Sequence, residues 1–226
     1  MQTDVPTTVG PGRLTVAEAA HPVAVLWLGH GAGGGIDAVD LAALASRLPD
    51  LGITVVRYEQ PWRVAGKRVA ARPATLDVAW QETAPHVRAL AGDLPLVVGG
   101  RSAGARVACR TAASTGAAAV ACLAFPLHPP GSPEKSRLEE LLEPTVPVLV
   151  VQGGRDPFGT AADLSAELAA EPGALDRIRI VEVPGADHGM RVAKGSELGA
   201  AGVRELVAGT VVDFVRAVVQ DVSTRP

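Results

Sequence analysis

Six short apolar runs, at residues 23–28, 53–57, 96–98, 118–125, 148–151 and 178–183, are rich in Val, Leu and Ile. Longer Ala-rich stretches with helical patterning lie between and after them, at 39–48, 76–91, 103–114, 161–170 and 203–219. Apolar residues on both sides of a strand-length run are what a parallel sheet covered on each face requires. The alternation of strand and helix therefore predicts a doubly wound, three-layer α/β structure with a mostly parallel sheet. Right-handed crossovers place every strand-to-helix loop at one rim, outside the carboxyl ends of the strands, where ligands bind in such sheets.

Punctuation residues agree with this division. Pro49 and Gly52 close the first helix, Gly116 follows the third, and Pro95 and Pro147 stand at strand starts, where a missing N–H is tolerated. Two connections exceed the usual length of 2–6 residues. Residues 59–74 carry Trp62, Arg63, Lys67, Arg68 and Arg72 against one acid, Glu59; residues 126–147 contain His128 between prolines and a helical patch at 136–142. Both are expected to overhang the functional rim, and neither is long enough for a separate cap domain. The cations of the first point either to substrates bearing a carboxylate or phosphate or to a solvated loop. With no repeat or low-complexity linker, the chain reads as one domain, 1–226, with an irregular N-terminal segment at 1–12.

Composition narrows the function classes. Of 226 residues, 47% are hydrophobic and 20% charged, enough for a packed core. The 21 basic and 24 acidic side chains, net −3, lack the basic excess that a phosphate backbone demands, and three Trp, one Tyr and three Phe are too few for a base-stacking platform. Nucleic acid is not an expected partner. Residues 23–28 fall far short of the ~20 apolar residues of a membrane span, and 1–12 have no signal-peptide pattern. Two cysteines, Cys109 and Cys122, cannot make a disulfide framework and fit a reducing compartment. The expectation is a soluble, cytoplasmic protein without membrane contact.

The chemistry concentrates at Gly100-Arg101-Ser102-Ala103-Gly104, the one G-x-S-x-G in the chain, with an apolar strand before it and an Ala-rich helix after it. A serine at such a turn sits on strained backbone with its hydroxyl raised above the sheet, and Gly100 and Gly104 supply the small residues that strand and helix need where they crowd. The plainer alternative is a glycine-softened turn with Ser102 as a helix cap. A hydroxyl needs a base and the base an orienting acid, in the chain order Ser, Asp or Glu, His. Asp156, just past the run at 148–151, and His188, past that at 178–183, meet this order on the same rim. Asp187 adjoins His188 too closely in sequence to orient it well. His30 precedes the serine, His128 is flanked by prolines that suit a pocket wall, and His21 and His86 fall at the opposite rim and within a helix.

Gly29-His30-Gly31-Ala32-Gly33-Gly34-Gly35 follows the first apolar run. Beside a nucleophilic serine, this loop would offer the Ala32 N–H to a developing oxyanion, with the Ala103 N–H as second donor. Gly29, Gly31 and Gly34 also match G-x-G-x-x-G, with Glu59 near the place of a ribose-binding acid, which would make the chain a dinucleotide binder. The next helix starts near Asp37 or Asp40, too late for the third glycine to pack against it, and that reading leaves Ser102, Asp156 and His188 without a role.

Taken together, these segments and Phe125-Pro126-Leu127-His128-Pro129-Pro130-Gly131 resemble the α/β-hydrolase superfamily over nearly the whole chain from about Val23. They are most similar to small capless members near dienelactone hydrolase and to the branch holding the testis-expressed and NSL-complex-subunit hydrolase-like proteins. The resemblance implies an acyl-enzyme mechanism without cofactor or metal. Dienelactone hydrolase uses a cysteine nucleophile where this chain has Ser102, so a dienelactone substrate is not implied. The expected function is cleavage of a small carboxylic ester or thioester by Ser102, His188 and Asp156, with His30, Trp62, Arg63 and His128 lining the pocket. The alternative from another class is a hydrolase-fold interaction subunit without turnover.

Overall fold

A computed structural model describes residues 1–224. Its strands are β1 (Gln2–Val5), β2 (Gly12–Ala17), β3 (Ala24–Gly29), β4 (Ile53–Glu59), β5 (Leu96–Arg101), β6 (Ala119–Leu123), β7 (Val148–Gly153) and β8 (Ile178–Val183). Its helices are α1 (Val39–Arg47), α2 (Pro61–Val64), α3 (Pro73–Ala91), α4 (Ala103–Thr111), α5 (Leu138–Leu142), α6 (Ala161–Ala169), α7 (Ala174–Arg177) and α8 (Gly199–Thr224). The sheet order is β1-β2-β4-β3-β5-β6-β7-β8, antiparallel at the β1–β2 and β2–β4 pairings and parallel from β4 to β8.

Alternate strand residues feed two cores. Trp27, Val98, Val120 and Val150 pack with Trp80 of α3, Ala108 of α4 and Leu164 of α6. Leu26, Leu28, Val97, Leu149 and Val151 pack on the other face with Leu41 and Leu44 of α1 and Val207 and Val211 of α8. Covering both faces explains why the central strands are apolar throughout rather than alternating. β3 is followed in space by β4 on one side and β5 on the other, so a crevice opens between the loops leaving β3 and β5. Under that crevice, Trp27 and Trp80 stack with ring centroids 3.6 Å apart and Tyr58 meets both edge-on, a rigid floor for the glycine loop.

Three expectations are corrected. Residues 1–12 are not wholly irregular, since they hold β1 and enter β2 at Gly12. Strand β5 extends through Gly99 and Gly100 to Arg101, because a Cβ at Gly99 would fall on the Ala121 carbonyl of β6 and its absence lets the pair close. The 126–147 connection does not hang over the rim throughout. Its helix α5 is clamped along α4 by Glu140, which pairs with Arg106 and Arg110 at 2.5 Å, while Arg110 also grips Asp77 of α3 at 2.6 Å.

Candidate active site

Ser102 joins β5 to α4 at φ 53° and ψ −111°, the left-handed side of backbone space that costs a non-glycine residue of order 1–3 kcal/mol. Its N–H donates to the Leu123 carbonyl of β6 at 3.0 Å, which holds the turn in that shape. The flanking glycines answer to crowding. A Cβ at Gly100 would lie 2.5 Å from the Gly29 carbonyl oxygen, and one at Gly104 would overlap the Gly29 main chain. Gly104→Ala is therefore expected to destabilise the fold by about 3 kcal/mol, at the upper end of overpacking costs. Urea unfolding with an unchanged slope measures it; a loss below about 1 kcal/mol would show that β3 and α4 are not so closely apposed.

The loops after β7 and β8 are tied to each other. The Gly154 N–H donates to the Val183 carbonyl at 3.0 Å and the Arg155 N–H to that of Ala186 at 2.9 Å, while Gly153 leaves no room for a Cβ beside Ala186. This brings Asp156 and His188 together. His188 Nδ1–H donates to Asp156 Oδ2 at 2.8 Å, and His188 Nε2 accepts from the Ser102 hydroxyl at 2.9 Å. Since a carboxylate only accepts, the neutral imidazole carries its proton on Nδ1 and presents a lone pair to the serine. The buried Asp156 carboxylate also accepts from Gln152 Nε2 at 3.1 Å and from the Phe158 N–H at 2.8 Å, and so is fixed in plane. The Phe158 ring lies 4.2 Å from that of His188. Asp187, the rival acid, turns away, its Oδ1 accepting from the N–H groups of Gly189 and Arg191.

Ser102 and His188 sit in an open cleft of about 720 Å³ bordered by Gly31–Gly35, Arg63, Phe158 and Arg191, within the usual range for small-molecule sites. Ala32 and Ala103 also border a cavity of about 10 Å³, with His30, Trp62 and Trp80, room for about one water-sized group. Ala103 is the first residue of α4, so its N–H has no partner within the helix, and the Ala32 N–H has none among the described residues. The Ala103 amide, at the N-terminus of α4, can receive negative charge. An alpha/beta hydrolase domain model matches residues 22–216. The chain belongs to the α/β-hydrolase family. Among solved structures, it is similar to an alpha-beta serine hydrolase homologue from Coxiella burnetii (17% identity, TM-score 0.75, 93% of this chain and 97% of that one). It is also similar to XC6422 from Xanthomonas campestris, an α/β serine hydrolase without lid (21%, 0.69, 95% and 94%), and to Est1E from Butyrivibrio proteoclasticus (13%, 0.71, 97% and 99%). At these identities, the likeness is one of fold.

Within this hydrolase domain the remaining sequence candidates divide. His30 and Trp62 border the small cavity and Arg63 the cleft, but His128 lines neither. Its Nδ1 is turned to the adjacent Pro129 carbonyl and its N–H to that of Phe158, so Phe158 is the cleft wall instead. Of the basic loop, only Arg63 borders the cleft; Lys67 borders a separate cavity with Val9, Gly10 and Pro11. The dinucleotide reading loses its geometry, since a Cβ at Gly34 would touch nothing, α1 starts only at Val39, and Glu59 faces Arg13 of β2. Sequence reasoning missed Gln152, Phe158 and Asp40. Gln152 had a signal, a polar residue ending an apolar strand.

His30 is buried and neutral by construction: Nδ1–H donates to the Gly31 carbonyl at 2.9 Å and Nε2 accepts the Gln60 N–H at 3.2 Å. Burial first, and Arg63 nearby, push its pKa below the ordinary 6.5, outweighing the Gly31 bond. A depressed histidine takes up its proton more readily when unfolded, so this part of the stability is lost as pH falls from about 6.5 through the folded value. Denaturation at pH 7.5 and 5.5 is expected to show that loss in the wild type and a smaller one in His30→Gln; equal losses would contradict it.

Proposed function

We propose that the chain is a serine hydrolase that cleaves a small carboxylic ester or thioester through an acyl-enzyme on Ser102. The observation that carries this reading is the unbroken Ser102–His188–Asp156 hydrogen-bond series, at 2.9 and 2.8 Å, on the floor of an open cleft. Ser102 Oγ attacks the carbonyl while His188 Nε2 takes its proton, and Asp156 steadies the imidazolium through Nδ1. The N–H groups of Ala32 and Ala103 receive the oxyanion, each worth on the order of 10²–10³ in rate. Collapse expels the alcohol or thiol, which leaves with the proton held by His188. Water, deprotonated by the same nitrogen, then releases the acid and regenerates Ser102.

A filled nucleophile–base–acid series counts against an interaction subunit without turnover, which has no need of it. Two unbridged thiols, Cys109 and Cys122 with Sγ atoms 3.5 Å apart, support a cytoplasmic setting. No described helix is long and apolar enough to cross a membrane. A panel of chromogenic esters and thioesters graded in acyl length and charge tests the reading. Burst kinetics and steady turnover of at least one short-chain member are expected, and no turnover of any member by folded protein would overturn it.

A further inference from the structure

Arg101, the residue before the nucleophile, reaches sideways to two elements. Its Nε donates to Asp40 Oδ2 at 3.1 Å, and its Nη2 donates to the main-chain carbonyl of His188. The Asp40 side chain is fully buried and that of Arg101 only 13% exposed. Asp40 Oδ1 accepts the Leu41 N–H at 2.9 Å, so both its oxygens are engaged. Burial pushes the Asp40 carboxyl above its ordinary pKa despite the guanidinium beside it, which marks this as a costly place for a charge. Buried ion pairs of this kind seldom stabilise a fold more than an apolar pair of similar volume would. Helix α1 does not need the carboxylate for packing, because Leu41 and Leu44 already fill its core face.

The pair does have a place in the site. Arg101 fixes Ser102 through the chain and His188 through the guanidinium, so one residue spans nucleophile and base. It borders the oxyanion loop as well: a Cβ built at Gly31 would lie 3.6 Å from Arg101 Nη1 and 3.4 Å from Ser102 Cβ. Before His188 the loop is tied to the β7 loop at Ala186, whose carbonyl accepts the Arg155 N–H at 2.9 Å. Beyond that it is held by its own bonds, Asp187 N–H to the Arg191 carbonyl and Met190 N–H to that of Asp187, both at 2.9 Å, with Met190 at a φ of 54°.

We propose that Arg101, aimed by Asp40, is a positioning residue that sets the His188 loop against Ser102 by gripping the His188 carbonyl. This rests on the Ser102–His188 reading above. The test compares the full-length wild type with Arg101→Met, Arg101→Lys and the apolar pair Asp40→Leu/Arg101→Met. Three things are measured: kcat and KM on the ester the wild type cleaves fastest, hydrogen exchange at residues 187–191, and thermal unfolding. Arg101→Met is expected to lower kcat about 100-fold, the scale of a 1 Å misplacement, with KM changed less than about threefold and amide protection lost at 187–191. Arg101→Lys, which keeps the charge but lacks the fork whose Nε and Nη2 reach the two partners, falls between. The apolar pair regains the melting temperature but neither kcat nor protection. Recovery of kcat along with stability, or unchanged exchange in Arg101→Met, would overturn the proposal. Were the wild type to cleave no ester, the hydrolase reading would fail, and the exchange measurement would still decide whether Arg101 holds the loop.

Discussion

Ser102→Ala is expected to lose turnover on the order of 10⁶-fold in kcat while keeping its fold. The loss is that large because His188 and Asp156 have no nucleophile to act on once the hydroxyl is gone, so their contributions are lost with it, and only the amides and the cleft can still act on an attacking water. The fold survives because alanine meets the same φ of 53° and keeps the main-chain bond to Leu123 at 3.0 Å. Circular dichroism and the unfolding midpoint should match the wild type while ester hydrolysis drops to background. A residual rate within 100-fold of the wild type would mean that another residue carries the chemistry.

Asp156→Asn is the second large effect, about 10⁴-fold in kcat. An amide at this position cannot satisfy its three neighbours. With its oxygen toward the Phe158 N–H, its NH₂ meets both Gln152 Nε2 and His188 Nδ1, and the imidazole is forced to carry its proton on Nε2, facing Ser102. Flipped, the oxygen accepts from His188 but the NH₂ opposes the Phe158 N–H at 2.8 Å. Either orientation leaves a buried donor unpaired, so a stability loss of about 1–3 kcal/mol accompanies the rate loss. Steady-state kinetics and urea unfolding of the variant report both. A kcat within tenfold of the wild type would show that Asp156 does not govern the His188 tautomer.

What could be read from the chain follows the range of the interactions. Central strands and helices announce themselves because each is buried on a fixed period, as β7 is on both faces. Ser102, Asp156 and His188 were legible for a related reason: parallel topology sends every strand's carboxyl end to one rim, so order along the chain translates into nearness. Strand β1 was not legible, because three of its four residues are exposed and its order comes from pairing with β2. β2 does alternate, with Leu14 and Val16 inward, but a pattern of unbroken apolar runs does not include a half-buried strand such as this one, second from the sheet edge. The Arg101–Asp40 pair joins positions far apart in sequence, and no local pattern reports it. His128 misled for the opposite reason: its loop does leave a strand at the functional rim, yet its ring is turned to its own main chain.

Labelling with a fluorophosphonate, followed by peptide mass mapping, tests most directly whether Ser102 is an activated nucleophile. The arrangement of His188 and Asp156 predicts one phosphonyl group per chain, on the peptide that carries Ser102, and none in Ser102→Ala. An unlabelled wild type, or equal labelling of the alanine variant, would contradict it.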